Sequence, residues 1–159
     1  MREKLPVKIK LGDKEYDLDY QEELRASEET INEDLIQQPG LFAWYAVLHE
    51  LAEEEYARSK MALEMAEAEL DAHYRKDAAD KKEKIMEKQV LSKVMLDDKY
   101  ILLRDTMITA RKNVGTLKAI KEAFAHRKET VIALASNMRA QADPDIFLKK
   151  QKIKEEVTK

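Results

Sequence analysis

The sequence predicts a mostly α-helical protein, built as a long antiparallel helical hairpin with coiled-coil-like packing. A short β-hairpin precedes the helices, and we expect oligomerisation through helix faces. Chain breakers are scarce, with three glycines and three prolines in 159 residues, which favours long helices. Apolar residues recur at steps of three and four over two long stretches, as on one helix face. Because two helices form only one seam, subunits should bury the remaining apolar surface between them.

Three segments are predicted: an N-terminal β-hairpin segment at residues 1–26, a helical hairpin domain at residues 27–143, and a basic C-terminal tail at residues 144–159. In the first segment, the sequences VKIKL and YDLDY alternate apolar and polar residues on either side of a Gly-Asp-Lys turn. This alternation is typical of a β-hairpin. A two-stranded hairpin is marginally stable alone, so it should dock on the helices or on a partner.

The helical domain is expected to open with a short helix. Ser27 and Thr30 are alternative caps for its start, and Pro39-Gly40 is expected to end it. Two long helices should fill most of the chain up to Asp143-Pro144. The first long helix carries the apolar stripe Tyr45, Leu48, Ala52, Tyr56, Ser59, Leu63, Ala66, Leu70 and Tyr74. The second carries Tyr100, Leu103, Met107, Ala110, Val114, Leu117, Ile120, Phe124, Val131, Leu134 and Met138.

Between the long helices, a turn is predicted near residues 77–80. A short helix should follow, with Ile85, Val90 and Val94 facing inward, and Asp97-Asp98 should cap the second long helix. The second stripe is also the predicted oligomer interface, through Leu103, Met107, Val114, Leu117, Phe124, Val131, Leu134 and Met138.

Several classes of protein are disfavoured by composition. The chain has no cysteine, which excludes disulfides and thiolate metal sites. No apolar run approaches the roughly 20 residues of a membrane span, and the N-terminal residues lack the apolar core of a secretion signal. We therefore expect a soluble, cytoplasmic protein that does not bind membranes.

The sequence also lacks the motifs of common catalytic sites. His49-Glu50-Leu51-Ala52-Glu53 approaches the zinc-protease helix motif, but Glu53 stands where the second histidine is needed. Three isolated glycines cannot form a phosphate-binding loop, and there is no cysteine nucleophile. We expect no enzyme activity, no cofactor and no metal.

Charge is distributed unevenly along the chain. Residues 1–71 carry a net charge of −11 and residues 72–159 carry +8, which together give −3. The basic half could attract a polyanion, or the two halves could serve solubility and pairing of acidic with basic faces. Acidic residues of the first long helix form either a solvated face or a docking surface for a basic partner: Glu53, Glu54, Glu55, Glu64, Glu67 and Glu69.

Basic residues between the long helices are the strongest candidates for nucleic-acid contacts, although a solvated turn is the equal alternative. They are Arg75, Lys76, Lys81, Lys82, Lys84, Lys88 and Lys93, with His73 and Tyr74 beside them. Arg127, Lys128 and Arg139 lie on the second long helix, where phosphate contact and a subunit salt bridge are both open. Phe42, Trp44 and Tyr45 form either a core anchor or a base-stacking platform.

The sequence pattern of residues 42–140 resembles that of the UvsY-type recombination mediators of phages. In the second long helix, the similarity rests on Leu117 and Ile120, Arg127-Lys128, Val131-Ile132 and Met138-Arg139. The first long helix opens with Trp44 and ends in AELDAHYRK, and the segment VLSKVMLD precedes the second. One departure is that Glu67 and Glu69 occupy the positions of a basic pair that the family associates with single-strand binding.

The resemblance implies a non-catalytic protein that forms homo-oligomeric rings and binds single-stranded DNA. Such a protein helps load a RecA-like recombinase against a competing single-strand-binding protein, in a bacterial host cell if it is phage-encoded. The candidate nucleic-acid-binding residues are Tyr74, Arg75, Lys76, Lys81, Lys82, Lys84, Lys88, Arg127, Lys128 and Arg139. The alternative is a phage assembly protein, a scaffold-like coiled coil that binds proteins and not DNA.

Overall fold

The computed structural model describes residues 7–142 of the chain. The protein is mostly helical, at 79%, with a short antiparallel β-hairpin before a long helix pair that packs together. The predicted combination of β-hairpin and helical hairpin is therefore confirmed. The elements in chain order are β1 Val7–Leu11, β2 Lys14–Leu18, α1 Tyr20–Glu23, α2 Ile31–Asp80, α3 Glu87–Met95 and α4 Asp98–Ala142, of which α2 and α4 are the long pair.

The chain divides into two compact units. Within the described residues, the first unit comprises Val7 with residues 18–45 and 119–142. The second comprises residues 8–17 and 46–118. The predicted basic tail and the Asp143-Pro144 helix end lie outside the described residues. None of the helices within residues 7–142 has the length and apolar character of a membrane-spanning segment.

The β-hairpin is docked on the helices of the second unit, as expected for a marginal two-stranded element. Gly12 adopts a left-handed conformation, with φ +58°, which glycine reaches without steric cost in a tight turn. Its backbone N–H donates to Glu55 Oε2 of α2 at 3.2 Å. On the other side, Asn113 Nδ2 of α4 donates to the Lys10 carbonyl oxygen at 3.2 Å.

Helix α2 starts at the later of its two predicted caps. The Asp34 N–H donates to the Thr30 carbonyl oxygen at 2.9 Å, and the Thr30 hydroxyl donates to Asp34 Oδ2 at 2.8 Å. Ser27 supports this start from outside the helix, because its hydroxyl oxygen accepts from the Thr30 N–H at 3.3 Å. The start of α2 is therefore fixed by polar side chains close in sequence.

The predicted helix end at Pro39-Gly40 is wrong, because α2 continues through both residues. An internal proline removes one helical hydrogen bond and costs about 3 kcal/mol. Contacts within the first unit hold the helix on the N-terminal side of Pro39. Ile31 and Leu35 pack in a cluster with Val131 of α4, and Gln38 Nε2 donates to the Phe124 carbonyl oxygen at 2.6 Å. These tertiary contacts outweigh the local signal for a break.

The core of the first unit joins the start of α2 to the C-terminal part of α4. Tyr45 and Phe124 are fully buried, and their rings stack with centroids 4.7 Å apart. The Tyr45 hydroxyl donates to Glu23 Oε2 of α1 at 2.7 Å. Burial, followed by this bond to a carboxylate, raises the pKa of Tyr45. Tyr45 therefore fixes α1 against the long helices.

The core of the second unit holds α3 against α2 and α4. Val90 and Val94 are buried with Leu63 and Tyr100, which confirms the predicted inward face of α3. Ile85, Leu70, Tyr74, Leu103 and Met107 pack against this cluster. A short helix that packs on the seam between two long helices increases the apolar surface that is buried, which is small for a helix pair alone.

Helix α2 ends at Asp80, so the predicted turn at residues 77–80 lies a few residues too early. The Glu83 N–H donates to the Ala78 carbonyl oxygen at 2.9 Å, and the Lys82 N–H donates to that of Ala79 at 3.0 Å. This pair of bonds is a Schellman motif, which usually places glycine at its left-handed position. Lys82 occupies that position here, with φ +55°.

Replacing Lys82 with glycine is expected to raise the free energy of unfolding by about 1 kcal/mol, because a β-carbon in the left-handed region costs roughly 1–2 kcal/mol. The greater freedom of glycine in the unfolded chain offsets part of the gain. Urea unfolding of Lys82→Gly should be compared with Lys82→Ala, which loses the same charge and keeps the β-carbon. Equal stability of the two variants would show that the backbone at this position is not strained.

Candidate nucleic-acid interface

The segment that joins α2 to α4 is an exposed basic surface, here called the lysine-rich turn and defined as residues 75–93. It holds seven lysine or arginine residues against four acidic residues. All seven basic side chains are exposed. The Schellman motif at the end of α2 and the buried valines of α3 fix the backbone that carries them. The segment is thus an ordered surface with local positive charge.

Two of the basic residues are paired inside the turn. Arg75 Nε donates to Asp71 Oδ2 at 2.8 Å, and its Nη2 lies 3.2 Å from Glu87 Oε1. Lys81 Nζ donates to Asp77 Oδ2 at 2.7 Å. The bond to Asp71, and then that to Glu87, raises the pKa of Arg75, and the bond to Asp77 raises that of Lys81. Both cations remain charged, but carboxylates already occupy part of their hydrogen-bonding capacity.

The other lysines of the turn carry its uncompensated charge. Among the described residues, no carboxylate lies within ion-pairing distance of four of them: Lys76, Lys82, Lys84 and Lys88. Lys93 lies over the Tyr74 ring, with Nζ 5.8 Å from the ring centroid, in a cation–π contact. Flexible ammonium groups without an internal partner are suited to phosphates of varied geometry.

Tyr74 anchors the turn to the core of the second unit. Its hydroxyl donates to Asp97 Oδ2 at 2.7 Å, and its ring packs against the core of the second unit. The bond to Asp97 raises the pKa of Tyr74 and lowers that of Asp97. Asp97 also caps α4, because its Oδ1 accepts from the Lys99 N–H at 2.9 Å. The hydroxyl is therefore bonded and the ring half-buried, and a stacking contact of Tyr74 with a base stays a prediction.

Arg127 was predicted to reach a phosphate or another subunit, and this prediction is wrong. Its side chain is 3% exposed, and Nη2 lies 2.5 Å from Oδ1 of the buried Asp34. Nη1 donates to Gln38 Oε1 at 2.7 Å, and Nη2 donates to the Arg25 carbonyl oxygen at 3.0 Å. A charge inside an apolar stripe needs a partner, and here the partner belongs to the same chain.

Lys128 and Arg139, the other two candidates on α4, are exposed. They belong to the first unit, whereas the lysine-rich turn belongs to the second. Lys128 borders an open apolar cleft of about 600 Å³ that Phe42 and Ile132 also line. A phosphate contact at Lys128 or Arg139 therefore stays a prediction.

The predicted oligomer interface is wrong at three of its residues, which are buried inside the chain, and it stays a prediction at the others. Leu117, Phe124 and Val131 are almost completely buried. The other five residues are half-buried. Four of them pack against core clusters of the chain, namely Leu103, Met107, Leu134 and Met138. The fifth is Val114. The sequence shows that a stripe is apolar, but it does not show which surface covers it. Here α2 and α4 cover each other.

The two glutamates that stand at the positions of the basic pair in the UvsY-type mediators lie on the surface. Glu67 and Glu69 are both exposed. Glu69 Oε2 accepts from Lys99 Nζ of α4 at 2.7 Å, so this carboxylate links the two long helices. An exposed pair of this kind contributes little stability. Neither glutamate is suited to phosphate contact.

The aromatic cluster at the start of α2 combines the two roles that the sequence left open. Tyr45 is a core anchor, as described above. Trp44 remains 43% exposed and Phe42 39% exposed, while the Trp44 ring meets the Tyr45 ring edge-to-face, with centroids 4.8 Å apart. Half-exposed rings can still meet a partner, but only Tyr45 has a defined structural task.

The segment from His49 to Glu53, which approaches the zinc-protease helix motif, lies on α2 next to the core. His49 is mostly buried, with Nδ1 3.5 Å from Glu50 Oε1 and Nε2 3.7 Å from Glu53 Oε1. Within residues 7–142, no group of three histidine, aspartate or glutamate side chains is arranged to hold a metal ion. The prediction that the chain is not an enzyme stays a prediction.

The sequence matches no protein-family model, and no curated protein or solved structure shows significant similarity to it.

Proposed function

We propose that this protein is a non-catalytic recombination mediator that binds single-stranded DNA through the lysine-rich turn. The observation that carries the proposal is the set of exposed lysines that lack an internal carboxylate partner, held on an ordered turn. Such a surface binds the phosphate backbone through charge, with little preference for base sequence. The resemblance of residues 42–140 to the UvsY-type mediators supplies the wider role, which is to help load a RecA-like recombinase against a single-strand-binding protein.

This role needs no nucleotide site and no chemistry on the strand. A protein that contacts both the strand and the recombinase favours filament assembly through linked binding equilibria. The acidic residues of α2 repel phosphate, so the DNA strand is expected to contact the basic turn instead. Because Arg127 is buried in an ion pair with Asp34, the proposed contacts are concentrated on the turn.

Replacing Lys76, Lys84 and Lys88 together with alanine is expected to weaken binding to an oligo-dT strand. Loss of three phosphate contacts should reduce the slope of log K against log salt by roughly 2, because each contact on a single strand contributes about 0.7. Fluorescence anisotropy across a salt titration measures both the affinity and the slope. Lys82 is left unchanged, so that the backbone of the turn is not altered.

The matched control replaces Lys8, Lys10 and Lys14, three exposed lysines of the β-hairpin, with alanine. The change in net charge is the same, so a general electrostatic effect would weaken both variants equally. Binding that falls only in the turn variant supports the proposal. Equal losses, or no binding by the original chain at low salt, would exclude the turn as the DNA site.

The mediator role itself is tested with recombinase and single-strand-binding protein present. We expect the chain to accelerate filament formation on a covered strand, and the turn variant to lose this effect.

A second function, that of an assembly protein that binds no DNA, is favoured by one observation. Residues 50–71 of α2 hold eight acidic and two basic residues, and this surface suits a basic protein partner. An oligomer that leaves the strand unbound would select this second function.

A further inference from the structure

Helix α2 carries a second apolar stripe on the side opposite its packed stripe, here called the outer face of α2. From Val47 to Ala72, positions recur at alternating steps of four and three, which is the repeat of a coiled-coil seam. The residues at these positions are Val47, Leu51, Glu54, Arg58, Met61, Met65, Ala68 and Ala72. All of them belong to the second unit.

The outer face of α2 is largely exposed, although Leu51, Glu54 and Arg58 lie beside the β-hairpin. Val47 is 59% exposed, and Met61 and Met65 are each 58% exposed. Its two charged positions form an internal pair, because Arg58 Nη2 donates to Glu54 Oε1 at 2.5 Å. A helix that is apolar on two opposite sides usually has a partner for each side. Helix α4 covers only the inner one.

Helix α4 has a matching outer face in the same unit. Ile101, Ile108 and Gly115 recur every seven residues, and all three are exposed. A β-carbon added at Gly115 would meet nothing within 4 Å, so packing inside the chain does not require glycine there. A mid-helix glycine costs about 1 kcal/mol relative to alanine. On an exposed seam, its small size allows another helix to approach closely.

The helix segments that carry the two outer faces have opposite net charge. Residues 50–71 of α2 have a net charge of −6, from eight acidic and two basic residues, and residues 101–118 of α4 have a net charge of +3, from four basic residues and one acidic residue. Glu64 and Glu69 lie on the two sides of the α2 seam, and Arg111 and Lys112 lie on the two sides of the α4 seam. Charges that flank an apolar seam select the partner and its orientation.

We propose that the outer face of α2 packs against the outer face of α4 in a second copy of this chain. The occupant is a second copy because the chain itself presents the complementary face, with the same seven-residue spacing and the opposite charge. The two faces differ and belong to different helices of the second unit, so every copy has one of each to offer. Contacts between unlike faces either close into a symmetric assembly or extend into a filament. This interface does not depend on DNA binding.

The test is the mass of the full-length chain, measured by light scattering and sedimentation over a range of concentrations. Replacing Met61 and Met65 with lysine is expected to weaken self-association by about tenfold or more, because two charges would be buried at the seam. The matched control, Met86→Lys with Leu96→Lys, places the same charges on exposed apolar residues outside the seam and should leave the association unchanged. Circular dichroism verifies that each variant remains helical.

A charge swap distinguishes a second copy from any other occupant. Glu64→Lys with Glu69→Lys is combined with Lys99→Glu, so that the Glu69–Lys99 pair inside the chain is kept in reversed form. This variant, or Arg111→Glu with Lys112→Glu, should weaken association by placing like charges across the seam. All of these changes together should restore it, since the charges are then exchanged between the two faces. A chain that stays monomeric at every concentration would overturn the proposal. So would an oligomer that is insensitive to the methionine changes, or an association that the combined charge-swap variant fails to restore.

Discussion

Replacing Arg127 with methionine is expected to lower the free energy of unfolding by about 3–5 kcal/mol, because it leaves a buried carboxylate without its partner. Asp34 Oδ1 lies 2.5 Å from the guanidinium, and the two side chains are 11% and 3% exposed. The change also removes the donors to Gln38 and to the Arg25 carbonyl oxygen. Urea unfolding followed by circular dichroism measures the loss.

The double variant Arg127→Met with Asp34→Leu separates the ion pair from the rest of the site. Removing both charges together should cost much less than removing Arg127 alone, since no charge is then buried unpaired. If the single and double variants were equally destabilised, the unpaired carboxylate would not be the cause. A single variant as stable as the original chain would contradict the burial of Arg127.

Replacing Phe124 with alanine is expected to destabilise the protein by about 3–5 kcal/mol, through lost burial and the cavity that remains. Phe124 is fully buried and stacks on Tyr45, so two helices lose a shared contact. Phe42→Ala removes the same ring from a half-exposed position and should cost considerably less. Equal losses for the two variants would contradict the placement of Phe124 in the core.

Tyr45→Phe isolates the polar part of the same site. It keeps the stacked ring and removes only the hydroxyl that donates to Glu23, so we expect a smaller loss, on the order of 1–2 kcal/mol. A loss as large as that of Phe124→Ala would mean that the bond to α1, and not the aromatic stack, dominates the site.

Stability and binding are expected to separate in this protein. The residues that hold the first unit together are buried and internally paired, whereas the proposed DNA contacts are exposed lysines of the second unit. Alanine variants in the lysine-rich turn should therefore change affinity with little change in unfolding. Core variants at Phe124 or Arg127 should change unfolding first. The proposed self-association through the outer faces adds a third, separable property.

The sequence alone determined the secondary structure to a large extent. The alternating residues around Gly12, the apolar stripes of both long helices and the inward valines of α3 were each predicted from spacing, because periodicity reports which residues share a face. The cap of α4 at Asp97 was likewise predicted from local chemistry. These features depend on residues within one or two turns of each other.

Only the tertiary structure decided what covers each face and which charges are paired. Pro39 remains inside α2 because contacts with α4 hold the preceding turns, although its local signal favours a break. Arg127 is internal because Asp34 lies in space beside it, 93 residues earlier in the chain. Leu117, Phe124 and Val131 of α4 were predicted to join subunits but are buried inside the chain, where α2 and α4 pack together. Sequence spacing gives the direction of a side chain relative to its own helix, whereas its partner depends on how distant segments come together.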